Sequence, residues 1–262
     1  MPGVEHPAGT HRLFHHDRVA AGYATVRPYL HPLVFARVRE MIGAEARLGR
    51  ALDVGCGTGL SSFALLDLAE HVVGIDAARD MLRHAIQADA VAYVASGAEA
   101  LPFREGSFNL VVACGSMDWV DRPRFLPRAA EVVARGGWLV SLDFGDTGRS
   151  PEVPGLGRWY DEVLQDRYPR PAASDPTITA DEAARHGFGP PARRELAMTC
   201  SFTAARYAAF LMTESNVIAA IEYGGETEDR VRSWLETELA ALFGSEERAV
   251  SFGGYIQVMR RH

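Results

Sequence analysis

Short apolar runs alternate with segments of helical period through the first half of the chain. Residues 51–54 form an apolar run that ends in a glycine cluster, Gly55-Cys56-Gly57-Thr58-Gly59, and apolar residues return over 60–68. That order predicts a strand, a sharp loop and a helix. The run 71–76 reads as a second strand ending in Asp76, with a helix over 77–87. Residues 91–95 and 108–113 read as strands three and four, a helix follows over 123–134, and strand five covers 138–144. Gly136-Gly137 supplies the helix stop that glycine commonly makes. Repeated strand and helix units of this length predict an α/β fold with a doubly wound parallel sheet and ligands at the carboxyl ends of its strands.

The pattern changes after strand five. Residues 146–191 are rich in proline and glycine, with one short helical patch over 158–164. So long a stretch is unusual as a bare loop and predicts a lid insertion. Residues 192–202 then read as strand six, and helices are expected over 203–210, 215–221 and 226–243. In the last of these Val231, Trp234, Leu235, Leu239 and Leu242 fall at helical spacing. Alternation over 251–259 gives strand seven. The expected organisation is an N-terminal helical segment (1–40), a cofactor-binding core (41–145), the lid insertion (146–190), and strands six and seven with lid helices (191–262).

Glycines at every second position directly after a strand let the backbone take positive φ and approach a ligand without a Cβ. The dinucleotide fingerprint Gly-x-Gly-x-x-Gly requires a third glycine where this chain has Leu60, which disfavours a nicotinamide oxidoreductase. The Gly-x-Gly-x-Gly form behind an acidic residue, here Asp53, suits the sulfonium cofactor S-adenosylmethionine. Asp76 reads either as a partner for a ribose diol or as the cap of the helix that follows.

Five ordered motifs carry a resemblance: Leu52-Asp53-Val54-Gly55-Cys56-Gly57-Thr58-Gly59, Gly74-Ile75-Asp76, Ala98-Glu99-Ala100-Leu101-Pro102-Phe103, Phe108-Asn109-Leu110-Val111-Val112 and Gly136-Gly137-Trp138-Leu139-Val140. Over 51–143 the chain resembles the class I S-adenosylmethionine-dependent methyltransferases, in their small-molecule type 11 group. The resemblance implies a seven-stranded Rossmann-like sheet whose strand seven runs antiparallel. It implies Gly55 and Gly57 under the methionine part of the cofactor, Asp76 on the ribose hydroxyls, and Ala98 and Glu99 beside the adenine. Met81 would flank the adenine face, and Gly115 and Ser116 would line the cofactor. Asp53, Cys56, Gly59 and Ala77 complete the expected cofactor set. Upstream, Tyr23 to Pro28 resembles a segment that closes over the cofactor in many relatives, with Arg27 offering its carboxylate a planar fork. S-adenosylhomocysteine is then the product, and no metal is expected.

A net charge of -7 and a pI near 5.7 disfavour a nucleic acid as the routine partner, which would call for a basic stripe. A small-molecule acceptor fits better. All 27 cationic side chains are arginine, so no lysine-based covalent mechanism is available. Cys56, Cys114 and Cys200 are widely spaced and suggest neither a zinc knuckle nor a disulfide framework, in keeping with a reducing cytoplasm. No apolar stretch reaches the roughly 18 residues that cross a bilayer, and 1–16 lacks the apolar core of a secretory signal.

On the acceptor side, Trp119, Trp159, Tyr160, Tyr207, Glu214 and Tyr223 are the candidate substrate residues, and their aromatic character favours an apolar or aromatic acceptor. The expected reaction is an in-line displacement at the methyl carbon, and position carries most of it. Many relatives have a histidine just after strand four. This chain has Ser116-Met117-Asp118-Trp119 there, which weakens a histidine-driven O-methylation and leaves Asp118 and Asp143 as candidate catalytic carboxylates. A protein that binds the cofactor in a non-methylating or regulatory role would keep the same glycines.

Overall fold

The computed structural model describes residues 13–170 and 175–262. The first twelve residues, part of the expected N-terminal segment and of the stretch scanned for a signal, lie outside the described residues. So do residues 171–174 of the expected insertion. Seven strands form one sheet in the order β3-β2-β1-β4-β5-β7-β6, where β1 is Leu48–Val54, β2 Ala69–Asp76, β3 Val91–Ala95, β4 Phe108–Cys114, β5 Val133–Arg149, β6 Ala192–Phe202 and β7 Arg248–Arg260. β3, β2, β1, β4 and β5 are mutually parallel, with Val54 level with Ile75 on one side and Ala113 on the other.

Strand seven is antiparallel. Along β5 the hydrogen bonds to β7 run backwards: Gly136 and Gly137 bond Arg261, Thr147 bonds Ser251 and Ser150 bonds Ala249. Strand order reverses between β1 and β4, so the loops that leave these two strands diverge. Open α/β sheets bind ligands at such a point.

The described residues divide into two compact units. The glycine-loop unit contains 29–144, 175–196 and 254–262. Its core is an apolar cluster that includes Leu52, Val54, Ile75, Val111, Phe125, Leu139, Ile178, Phe188 and Met259. The aromatic unit contains 13–28, 145–170 and 197–253. It is built on ring contacts: Tyr207 stacks on Phe210 at 6.1 Å and meets Phe243 at 5.4 Å, and Phe202 and Phe252 complete the group. Edge and offset ring pairs of this kind add to the area they bury.

Four expected elements change shape. The helix expected over 77–87 is confined to Arg79–Arg83. Beyond it, Ile86 N donates to Thr58 O and Ile86 O accepts from the Tyr93 hydroxyl, so the chain is drawn to the glycine loop and cannot continue as a helix. The helix over 60–68 is Leu60–Ala64, tightening to a 3₁₀ turn over Leu65–Asp67. The helix Arg122–Val132 ends at Val133 in extended conformation, and Gly136, at φ 77°, lies within β5 instead of capping that helix. β5 itself runs well past 138–144, to Arg149, beside β7, where the Thr147 and Ser150 hydroxyls donate to Ser251 O and Ala249 O.

Candidate functional site

The glycine loop leaves β1 with Gly55, Gly57 and Gly59 at φ 70°, 54° and 79°. L side chains rarely adopt this region, and two of the three glycines are also enclosed. A Cβ on Gly55 would lie 2.5 Å from Ser116 Cβ, and one on Gly59 would lie 2.2 Å from the Tyr93 hydroxyl. Gly57 has nothing within 4 Å of that position and faces open space. The loop is fastened from both sides. Gly55 N and Cys56 N donate to Ile75 O, and Ser116 Oγ donates to Val54 O at 2.7 Å, tying the loops after β1 and β4 together at the reversal of strand order.

Asp76 ends β2 and accepts from Gly57 N at 2.8 Å and from Ala78 N at 2.7 Å. It is not the cap of the next helix, whose N-cap residue is Ala78; it holds the middle of the glycine loop. Asp53 lies beneath the loop, fully buried, where Oδ2 accepts from Ser61 Oγ and Ser62 Oγ at 2.7 and 2.6 Å. Burial pushes its carboxyl up to about 6 against those two hydrogen bonds, with the Asp76 charge adding to the rise. Cys56 is buried beside it, and burial, followed by the Asp53 and Asp76 charges, raises its thiol well above the ordinary range.

The remaining expected residues of this unit fall around the loop ends. Met81 and Ala98 are buried and Ala77 is exposed. Glu99 accepts from Asp121 N at 2.9 Å, and Gly115, at φ 63°, carries no side chain where a Cβ would sit 3.3 Å from Asp143 Oδ1. Asp118 and Trp119 occupy a single 3₁₀ turn, Met117–Trp119, at the end of β4. Burial, and then the Asp175 charge, raises the Asp118 carboxyl.

Seven expected residues belong to the aromatic unit: Tyr23, Arg27, Trp159, Tyr160, Tyr207, Glu214 and Tyr223. Arg27 pairs with Glu214 at 3.0 Å, donates to Thr213 O and to the Tyr23 hydroxyl, and lies 4.3 Å above the Tyr23 ring. Trp159 is buried, donates to Glu238 and stacks on Trp234. Tyr207 is buried and donates to Asp146, while Tyr160 is buried and accepts from Arg170. Tyr223 follows the helix Ser215–Glu222 and is 55% exposed. Sequence reasoning passed over Asp146, which lies within the extension of β5 past its expected end. Burial raises its carboxyl to about 6, countered by the bonds from Tyr207 and Gly148 N. Tyr93 was also missed. Its ring packs where Gly59 and Gly74 lack side chains, so those glycines were its signal.

The family model described as "Methyltransferase domain" matches residues 52–141, the stretch that holds the glycine loop, Asp76 and the turn after β4. Over these residues the chain is similar to the class I S-adenosylmethionine-dependent methyltransferases of the type 11 group. Among curated proteins it is 35% identical over 121 residues to a demethylmenaquinone methyltransferase of Clavibacter sepedonicus, covering 44% of this chain and 48% of that one. It is also 35% identical over 111 residues to a ubiquinone biosynthesis O-methyltransferase of Albidiferax ferrireducens, covering 39% and 43%. The matches thus span about half the length of these relatives or less. A structure from Anaeromyxobacter dehalogenans, provisionally named a type II methyltransferase, shares the fold at a TM-score of 0.64 and 24% identity, covering 88% of this chain and 95% of that one. Phosphoethanolamine N-methyltransferase 2 of Haemonchus contortus, solved with S-adenosylhomocysteine, shares it at a TM-score of 0.52 and 15% identity, covering 94% and 57%.

Proposed function

We propose that this protein transfers a methyl group from S-adenosylmethionine to a small, apolar or aromatic acceptor. The observation that carries the reading is the loop of three left-handed glycines. Two are closed against Ser116 and Tyr93, and the one between them is open to a ligand and held by Asp76. Gly55, Gly57 and Asp76 would hold the cofactor at the ends of β1 and β2, with Met81, Ala98 and Glu99 as the adenine side and Gly115 and Ser116 as the flank. When bound, the cofactor supplies a methyl carbon open to nucleophilic attack.

The chain's own part is chiefly placement. Holding a nucleophile in line at near-attack distance removes roughly 7 to 11 kcal/mol of barrier, so a dedicated base is secondary. Asp118, whose carboxyl burial raises, accepts the acceptor's proton at a carboxylate oxygen, with Asp143 on β5 as the second candidate carboxylate. The quinone-related names of two relatives support a ring-bearing acceptor. Among the described residues no helix is long and apolar enough to cross a membrane, and no group of side chains could hold a metal ion. The three cysteines are free thiols, in keeping with a cytoplasmic setting.

Calorimetry with S-adenosylhomocysteine and NAD tests the cofactor, and mass spectrometry of a quinol and phenol panel incubated with S-adenosylmethionine tests the transfer. S-adenosylhomocysteine should bind saturably and NAD should not. Asp76→Ala should weaken S-adenosylhomocysteine by roughly 1 to 3 kcal/mol, the usual loss of a charged hydrogen-bonding partner. Saturable NAD binding with no response to S-adenosylhomocysteine would sink the reading.

A further inference from the structure

Two buried hydroxyls in the glycine-loop unit make no hydrogen bond of ordinary geometry. Ser141 Oγ on β5 is fully buried, and the hydroxyl of Tyr255 on β7 belongs to a side chain that is 93% buried. The strands are neighbours in the sheet, and they approach closely here because residue 254 is glycine: a Cβ there would sit 2.0 Å from Asp143 O. The two hydroxyls neighbour each other, and burial pushes the Tyr255 phenol up to about 12. The carboxylates that act on that phenol are Asp143 first and Asp118 second, the two acids of the proposed reaction side.

The surroundings are built and fixed. Arg193 on β6 covers the Tyr255 ring from 4.2 Å. Gln257, two residues along β7, makes both hydrogen bonds of its amide to the backbone of Ile178, and Arg122 donates to Asp175 O and Thr177 O. The strap 175–178 is thereby pinned to β7 and to Arg122, and Asp175 acts on Asp118. Buried polar groups in native proteins nearly always find partners, so two neighbouring exceptions call for an explanation. A pair of side chains that can both donate and accept, under the influence of two carboxylates, suits the polar end of a ligand.

We propose that the Tyr255 and Ser141 hydroxyls anchor the polar end of the methyl acceptor beside Asp118 and Asp143, and that this acceptor is neutral or amine-bearing, never acidic. The proposal rests on the methyltransferase reading. Its electrostatic half follows from like-charge repulsion: Asp118, Asp143 and Asp175 act on this group, while Arg122 is paired with Glu182 at 3.0 Å and Arg193 with Glu195 at 2.8 Å. An amine or hydroxyl finds acceptors and donors in this setting, whereas a carboxylate or phosphate meets repulsion.

The test uses the full chain saturated with S-adenosylhomocysteine, and calorimetry with benzylamine, benzyl alcohol and benzoate as probes. Benzylamine and benzyl alcohol should bind saturably and benzoate at least about tenfold more weakly. Tyr255→Phe should weaken the first two by about tenfold, Ser141→Ala by less, and neither should change the affinity for S-adenosylhomocysteine. Because the phenol makes no ordinary hydrogen bond in the fold, Tyr255→Phe should melt at or above the wild-type temperature. Equal or tighter benzoate binding, no saturable binding of any probe, or Tyr255→Phe that leaves the probes untouched or melts several degrees lower overturns the proposal. Failure of the wild type to bind S-adenosylhomocysteine overturns the functional reading, and this proposal with it.

Discussion

The two units bury their polar groups by opposite means. In the glycine-loop unit the chemistry at the end of β1 and β2 lies in backbone conformation: left-handed glycines, amides aimed at Ile75 O and at Asp76, and side chains removed wherever Ser116 and Tyr93 must fit. In the aromatic unit it lies in pairs of side chains far apart in sequence, Arg27 with Glu214 and Asp146 with Tyr207, embedded among stacked rings. A loop of the first kind is written in consecutive residues and tolerates few spellings. A network of the second kind accepts many partners at many positions, so its sequence is free to drift. The family match follows this difference, covering 52–141 and no residue of the aromatic unit.

The comparison is broken most severely at Gly59. Valine there adds a strained left-handed residue, roughly 1 to 2 kcal/mol, and drives a Cβ onto the Tyr93 hydroxyl, for which overpacking costs about 1 to 3 kcal/mol more. Chemical denaturation should therefore show a loss of about 2 to 5 kcal/mol. Gly57→Ala, in open space, should lose only about 1 kcal/mol. Equal losses at the two positions would mean that conformation alone, and not the fit to Tyr93, sets the loop.

Each unit also holds one carboxyl raised to about 6, Asp53 in the first and Asp146 in the second, and burial is the leading cause in both. An unfolded aspartate titrates near 3.9. Between about pH 4 and pH 6 the folded chain binds more protons than the unfolded one, so each group's contribution is complete below pH 4 and is lost as pH rises to 6. Each should account for roughly 2 to 3 kcal/mol of falling stability over that window. Denaturation of Asp53→Asn and Asp146→Asn against wild type isolates each slope. A wild-type curve that keeps its slope in both variants would remove these two groups from the account.

A smaller effect is expected at Arg27. Its pair with Glu214 is partly buried, at 18% and 16% side-chain exposure, so the loss on breaking it is discounted from that of a fully buried pair. Arg27→Ala should cost about 2 kcal/mol, and Glu214→Gln in the same chain should recover part of it. Additive losses from the two substitutions, measured as a double-mutant cycle, would show that the ring contacts and not the ion pair hold Arg27.

The strands that carry the glycine loop, Asp76 and the turn after β4 were legible because each is a local pattern: an apolar run, a turn residue at fixed offset, a strand-end acid. β6 matches its expected bounds, and the helix Glu228–Phe243 follows from its apolar spacing. The helix after Asp76 was not legible, since Tyr93 and Thr58 capture Ile86 and end it early. The roles of Trp159 and Tyr207 were illegible for the same reason. Their partners, Glu238 and Asp146, lie 79 and 61 residues away and carry no spacing signal.

The sequence by itself determined where the backbone must bend without side chains, and thereby the fold class and the family of the residues around 52–141. Glycine's freedom at positive φ belongs to the residue and needs no neighbour to declare it. Only the tertiary structure decided that Asp53 is buried under the loop on Ser61 and Ser62, that Asp76 holds Gly57 rather than capping a helix, and that the Ser141 and Tyr255 hydroxyls, on neighbouring strands, are buried without a hydrogen-bond partner. Burial and pairing are properties of three-dimensional neighbourhoods, set by which strands lie side by side, and no single position in the chain encodes them.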